Sequence, residues 1–129
     1  MIILKNQDAI RSILKDKKKL ALVPTMGNLH NGHISLIKHA KKYADSIIVS
    51  IFVNPIQFNS SNDLKNYPRS IENDINILEK HGVDILFNPS EKDIYPTKPY
   101  LAYKLPPLAS QLCGSKRPDH FKGVITIIE

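Results

Sequence analysis

His30-Asn31-Gly32-His33 is the first stretch of the sequence whose residue types and spacing can do chemistry. It follows an apolar run, Leu20–Val23, and precedes Ile34, Ile37 and Ala40, which recur at helical spacing. The pair of histidines therefore falls at a strand-to-helix junction. Residues i and i+3 on a first helical turn face the same side, so the two imidazoles converge. Gly32 between them has no side chain and lets a ligand approach the backbone. A helix start adds unsatisfied N–H groups and a positive partial charge. Two imidazoles and several amides facing one anion make a phosphate site. The plainer reading has His30 capping a turn and His33 as an ordinary helix residue. A metal site needs a third ligand, and none sits at a suitable spacing.

A second polar cluster, Asn54-Pro55-Ile56-Gln57-Phe58, closes the most apolar run of the chain, Ser46–Val53. Asn-Pro is also a plain strand terminator. A third, Arg117 with His120, lies in the polar stretch Gly114–Gly123.

The elements that must position these clusters alternate. Ile2–Leu4 starts a strand, and Asp8 is expected to cap a helix carrying Ile10, Ile13 and Leu14. Leu20–Val23, ended by Pro24, reads as a strand buried on both faces. A helix after His33 and the strand Ser46–Val53 follow. Asn59–Pro68 reads as a loop, and Arg69–His81 as a helix with Ile71, Ile75 and Leu78 on its apolar stripe and Gly82 at its end. Asp84–Phe87 is a fourth strand. Asn88–Pro107 holds five of the nine prolines and reads as a long loop, with one extended piece near Tyr100–Leu105. Pro107–Leu112 suits a short helix, and Val124–Ile128 is apolar. Alternating strands and helices predict an α/β fold: a Rossmann-like, mainly parallel sheet with flanking helices and right-handed crossovers. Ligands of such sheets bind beyond the carboxyl ends of the strands. Pro24–His33 and Asn54–Phe58 are then expected at one rim.

Composition sets the remaining bounds. A chain of 129 residues fits one domain. No apolar run approaches the ~20 residues of a spanning helix, so no membrane partner is expected. Met1–Leu4 turns polar at once, which leaves no room for a signal-peptide core. The single cysteine, Cys113, makes no internal disulfide and fits a reducing, cytoplasmic setting. The net charge is +6, but 15 of the 18 basic residues are lysine. Arginine, the better reader of phosphates and bases, occurs only at 11, 69 and 117, so nucleic acid is not the expected partner.

Beyond these local features, the sequence resembles the pantothenate synthetase (pantoate–β-alanine ligase) family. The resemblance rests on Pro24–His33 and on Val49-Ser50-Ile51-Phe52-Val53-Asn54-Pro55-Ile56-Gln57-Phe58. Further blocks follow in order: Asp63-Leu64, Tyr67-Pro68-Arg69, Gly82-Val83-Asp84, Ile94-Tyr95-Pro96, Arg117-Pro118, His120-Phe121 and Gly123-Val124. The His-x-Gly-His element alone is shared with other nucleotidyl transferases and class I aminoacyl-tRNA synthetases; the ordered set is far more specific. It implies ATP-dependent ligation of (R)-pantoate and β-alanine through a pantoyl-adenylate, with AMP and pyrophosphate released and Mg²⁺ sharing the leaving-group charge. It implies Met26, Gly27, Asn28, Leu29, His30, Asn31, Gly32 and His33 as the ATP-binding stretch, with His33 and His30 as the catalytic pair. His33 corresponds to the proton donor, and a helix N-terminus favours its neutral form. Gln57 corresponds to the residue that holds pantoate and contacts β-alanine. Asn54, Met26, Phe58, Arg117 and His120 are the other substrate-side candidates, Met26 and Phe58 as apolar walls. A role in anchoring their own loop competes for Arg117 and His120.

The family also implies a homodimer, a longer nucleotide-binding domain and a C-terminal lid domain. Residues 1–129 are then the N-terminal part of that domain, with the rest and the lid absent and little turnover expected. Two other readings stay open: another His-x-Gly-His nucleotidyl transferase, and a non-catalytic ATP-binding fragment. Cys113, Lys116 and Asp119 depart from the family's usual residues.

Overall fold

The computed structural model describes residues 1–17, 19–99, 104–111 and 113–128. Four strands, β1 (Ile2–Leu4), β2 (Leu20–Thr25), β3 (Ser46–Ile51) and β4 (Ile85–Phe87), form one sheet in the order β1-β4-β3-β2. Every pair is parallel. The expected α/β architecture with a parallel sheet is the one observed. Helices α1 (Gln7–Leu14), α2 (Asn31–Ala40), α3 (Ser61–Asn66), α4 (Ile71–Lys80), α5 (Glu91–Ile94), α6 (Cys113–Lys116) and α7 (His120–Ile128) complete the fold, with short 3-10 turns at Pro55–Gln57 and Pro107–Ser110. No helix among the described residues is long and apolar enough to cross a membrane.

The chain divides into two compact units, 1–52 with 68–94, and 53–67 with 95–129. The first holds the sheet. Its core is Val23, Leu29, Ile37, Ile47, Val49, Ile51, Leu78, Val83 and Leu86. β3 lies between two partners, and Ile47, Ile48 and Val49 are buried accordingly. β2 and β3 end level with each other: Thr25 pairs with Ile51, and Phe52 N–H donates to the Thr25 carbonyl at 3.1 Å. The second unit is built on α7, which lies against the turn Pro55–Gln57. A Cβ at Gly123 would sit 2.5 Å from Gln57 Cα, so only glycine permits that approach.

Several expectations need correction. β2 is not covered on both faces: it is an edge strand, and Leu22 is 60% exposed. An edge strand also accommodates Pro24, which continues β2 rather than ending it. Asn6, not Asp8, caps α1, with its side-chain oxygen accepting from Ala9 N at 2.8 Å; Asp8 sits in the first turn. The stretch read as loop over Asn59–Pro68 contains α3, started by Ser60 Oγ accepting from the amides of Asn62 and Asp63. The long loop after Asn88 is interrupted by α5, whose start is tied by reciprocal bonds between Ser90 and Asp93. The polar stretch Gly114–Gly123 contributes to two helices, α6 and α7. The extended piece expected near Tyr100–Leu105 falls mostly outside the described residues.

Candidate functional site

β2 hands the chain to α2 through a turn that ordinary residues adopt with difficulty. Gly27 and Asn28 both have positive φ, 77° and 52°. Glycine and asparagine are the residues that tolerate this region. The turn is held from inside by Asp74 of α4, which is 1% exposed. Its carboxylate accepts from Asn28 N at 2.8 Å and Leu29 N at 2.8 Å, with Ser70 Oγ at 3.4 Å. Thr25 Oγ1 takes the Gly27 amide at 3.0 Å and donates to the Ser50 carbonyl at 2.9 Å. A charged group buried this deeply is stable only with such partners.

The two imidazoles meet one turn later. His30 is the N-cap of α2, and the ring centroids of His30 and His33 lie 4.1 Å apart. His30 Nδ1 accepts from Gly32 N at 3.1 Å, and His33 Nδ1 accepts from His30 N at 3.2 Å. The cap is reciprocal. A ring nitrogen that accepts an amide hydrogen bond carries no proton, so this geometry selects the tautomer with the proton on Nε2 in each ring. Burial, then the neighbouring His30, holds the His33 imidazole below its ordinary pKa; Asp74 pulls it partly back. His33 is therefore a neutral imidazole at neutral pH, presenting an Nε2–H donor.

This arrangement corrects one part of the expected site. The amides of Gly27, Asn28, Leu29, His30 and Gly32 are already satisfied by Thr25, Asp74, His33 and His30. They are not a ring of open donors awaiting an anion. The chemistry the turn offers is carried by the imidazole Nε2–H groups. Met26 lies half-buried between Thr25 and Gly27, and Asn31 is exposed at the first position of α2.

The second unit gathers Asn54, Gln57 and His120. Asn54 is 1% exposed and Gln57 7%. Asn54 Nδ2 donates to Gln57 Oε1 at 2.9 Å and to the Gly123 carbonyl at 3.0 Å, while Tyr95 Oη–H donates to Asn54 Oδ1 at 2.9 Å. His120 Nδ1 lies 3.2 Å from the Gln57 carbonyl and must donate to it, since a carbonyl only accepts. His120 thus anchors the Gln57 backbone. Arg117, just before α7, is exposed. Phe58 stacks edge-on against Tyr67 at 5.5 Å and lines an open cleft of about 270 Å³ with Ile56, Pro99, Asp119 and Lys122. Gln57 is not among the residues lining that cleft.

Sequence reasoning missed Asp74 and Tyr95. Asp74 had a readable signal: it lies three residues after Ile71 and four before Leu78, on the apolar stripe of α4. Tyr95 is 41 positions from Asn54, with no local pattern to connect them.

The family model described as Pantoate-beta-alanine ligase matches residues 2–129. Among curated relatives, "Pantothenate synthetase" of Thermoanaerobacter sp. (strain X514) is 46% identical over 99% of this chain and 47% of its own length. The protein of the same name from Francisella tularensis subsp. novicida is 52% identical over 97% of this chain and 48% of its own. The chain thus spans about half the length of the curated relatives it matches. A crystal structure of pantoate-beta-alanine ligase from Francisella tularensis, complexed with beta-gamma ATP and beta-alanine, aligns with a TM-score of 0.91 at 51% identity, covering 99% of this chain and 51% of that one. Pantothenate synthetase from Thermus thermophilus aligns at 0.89 and 35%, covering 99% and 46%. With a parallel sheet, a paired-histidine helix start and a family match along nearly its whole length, this chain belongs to the pantoate–β-alanine ligase family.

Proposed function

We propose that this chain supplies the adenylate-forming half-site of an ATP-dependent pantoate–β-alanine ligase, with ATP held by Met26–His33 and pantoate by Gln57. A carboxylate is a poor electrophile. A pantoate carboxylate oxygen attacks the α-phosphorus of ATP, and the bond to pyrophosphate breaks. The nitrogen of β-alanine then attacks the acyl carbon of the mixed anhydride, AMP leaves, and the amine loses a proton. Charge builds on the pyrophosphate in the first step, and preorganised donors lower that barrier.

The observation that carries this reading is the reciprocal imidazole cap. It fixes the ring pair through Nδ1 and leaves two Nε2–H donors side by side. A neutral His33 donates to a phosphate oxygen without first acquiring a proton. Mg²⁺ belongs to the substrate, entering on the triphosphate. Among the described residues no three of His, Cys, Asp and Glu gather to hold a metal.

Pantoate-dependent exchange of labelled pyrophosphate into ATP tests the reading, beside ATP binding followed by calorimetry. Exchange that requires pantoate, and that drops by at least ~10²-fold in His33→Ala, supports it. Exchange that runs equally well with unrelated acids assigns the chain to a different transferase chemistry. ATP binding with no exchange leaves a nucleotide-binding module.

A further inference from the structure

The amide of a glutamine can face a ligand with its oxygen or with its amino group, and the two choices select opposite partners. Here the choice is made by one backbone atom. The Gly123 carbonyl only accepts, so the Asn54 side-chain atom 3.0 Å from it must be Nδ2. The second hydrogen of that nitrogen meets the Gln57 side chain at 2.9 Å, so the Gln57 atom there must be Oε1. Asn54 Oδ1 is then the atom opposite Tyr95, whose hydroxyl has to donate. Every polar atom of the Asn54 side chain is used, at 1% exposure. Gln57 Nε2 finds no partner among the described residues. No buried side-chain nitrogen or oxygen among them lacks a partner, so Nε2 is the accessible end of a side chain otherwise 7% exposed.

We propose that Tyr95 and Asn54 are positioning residues that lock Gln57 so that its amino group, never its carbonyl, meets the ligand, and that the site therefore selects a hydrogen-bond acceptor such as a carboxylate or hydroxyl oxygen. Asn54 acts through Gln57 and does not touch the substrate itself. The geometry explains three features together. α7 carries glycine at 123, which brings its carbonyl onto Asn54. The 3-10 turn Pro55–Gln57 sets Asn54 and Gln57 three residues apart, on one side. A tyrosine after α5 supplies the one donor that the asparagine oxygen needs. The inference rests on Gln57 being the pantoate contact, but the lock itself can be tested without ligand.

Side-chain amide exchange, read by nitrogen-15 NMR on the 129-residue chain, is that test. The Asn54 NH₂ protons should exchange at least ~100-fold more slowly than those of Gln57, being buried and bonded. Equal rates would overturn the lock, whatever pantoate does. In Tyr95→Phe the Asn54 protection should fall about tenfold or more, since its oxygen loses its donor; unchanged protection would remove Tyr95 from the role. Titration with (R)-pantoate, with ATP as the control, then reads the polarity. Gln57→Glu, read at a pH where the new carboxyl is ionised, turns the presented donor into an acceptor and should weaken pantoate by on the order of 100-fold, well beyond any loss for ATP. Wild-type-like pantoate affinity in Gln57→Glu would refute the donor assignment while the functional reading survives. Pantoate failing to bind wild type, with the exchange pattern intact, would remove the functional reading and leave the lock standing. Should Tyr95→Phe not fold, the wild-type exchange rates and Gln57→Glu decide between these outcomes.

Discussion

Replacing Asp74 by asparagine keeps the size of the side chain and removes one acceptor. The carboxylate serves two backbone amides at once, Asn28 N and Leu29 N, each at 2.8 Å. In Asp74→Asn one oxygen becomes an NH₂ group. One of the two amides then faces a donor. Hydrogen bonds to a charged group contribute about 1.5–3 kcal/mol, and a buried donor left unpaired costs about 1–3 kcal/mol. The two figures overlap in what they count, so the expected loss is about 2–4 kcal/mol. That is a large share of a typical stability of about 5–15 kcal/mol. For a chain of this size it lowers the melting temperature by roughly 6–15 °C. Urea titration followed by circular dichroism measures it, with Ser70→Ala as the control. The Ser70 hydroxyl lies 3.4 Å from the same carboxylate, a marginal bond, so Ser70→Ala should cost under about 1 kcal/mol. A loss below about 0.5 kcal/mol for Asp74→Asn would show that the turn does not depend on the carboxylate, and the account of the site would fail at its base.

Three further outcomes follow from the same contacts. Gly27→Ala places a Cβ 3.0 Å from Asp74 Oδ2 at a φ of 77°; calorimetric melting should show a loss of about 1–3 kcal/mol, and a stabilised variant would contradict the strain. In Gly123→Ala helix propensity favours alanine by about 1 kcal/mol, but the new methyl would meet Gln57 Cα at 2.5 Å and Gln57 N at 2.6 Å, so chemical denaturation should show a net loss of about 2 kcal/mol or more. For His33 the folded pKa lies below the unfolded value of about 6.5, so the unfolded chain binds more protons between the two. The stability from its neutral ring is complete above about pH 6.5 and is lost as pH falls from there through the folded pKa. An NMR titration of the His33 Cε1–H should give a midpoint below that of a denatured control, and a midpoint above it would reverse the sign.

The pairing of His30 with His33 was legible because helical spacing alone brings i and i+3 together. The plainer reading of His30 as a cap is also what the structure shows, while the return bond from the His30 amide to His33 Nδ1 has no composition cue beyond the residues themselves. The apolar run at Leu20 announced a strand, yet such a run does not say which faces are covered; only the sheet order makes β2 an edge and leaves Leu22 out. The helix α3 was hidden because its one apolar residue, Leu64, makes no periodicity, and its signals were the cap Ser60 and the first-turn Asp63. The expected cap at Asp8 lies two residues too late: Asn6 places its side-chain oxygen on Ala9 N, and Asp8 falls in the first turn. The order of the motif blocks carried the family assignment, which no single element would have supported.

The carboxylate under the Gly27–Leu29 turn has a consequence for the ATP site proposed above. This turn carries a resident anion, so it is already drawn taut before anything binds. Ligand association then forfeits little chain entropy at this point and needs no loop closure here. The amides of Asn28 and Leu29 should accordingly remain sheltered from solvent exchange by a similar margin in the empty and the ATP-bound protein.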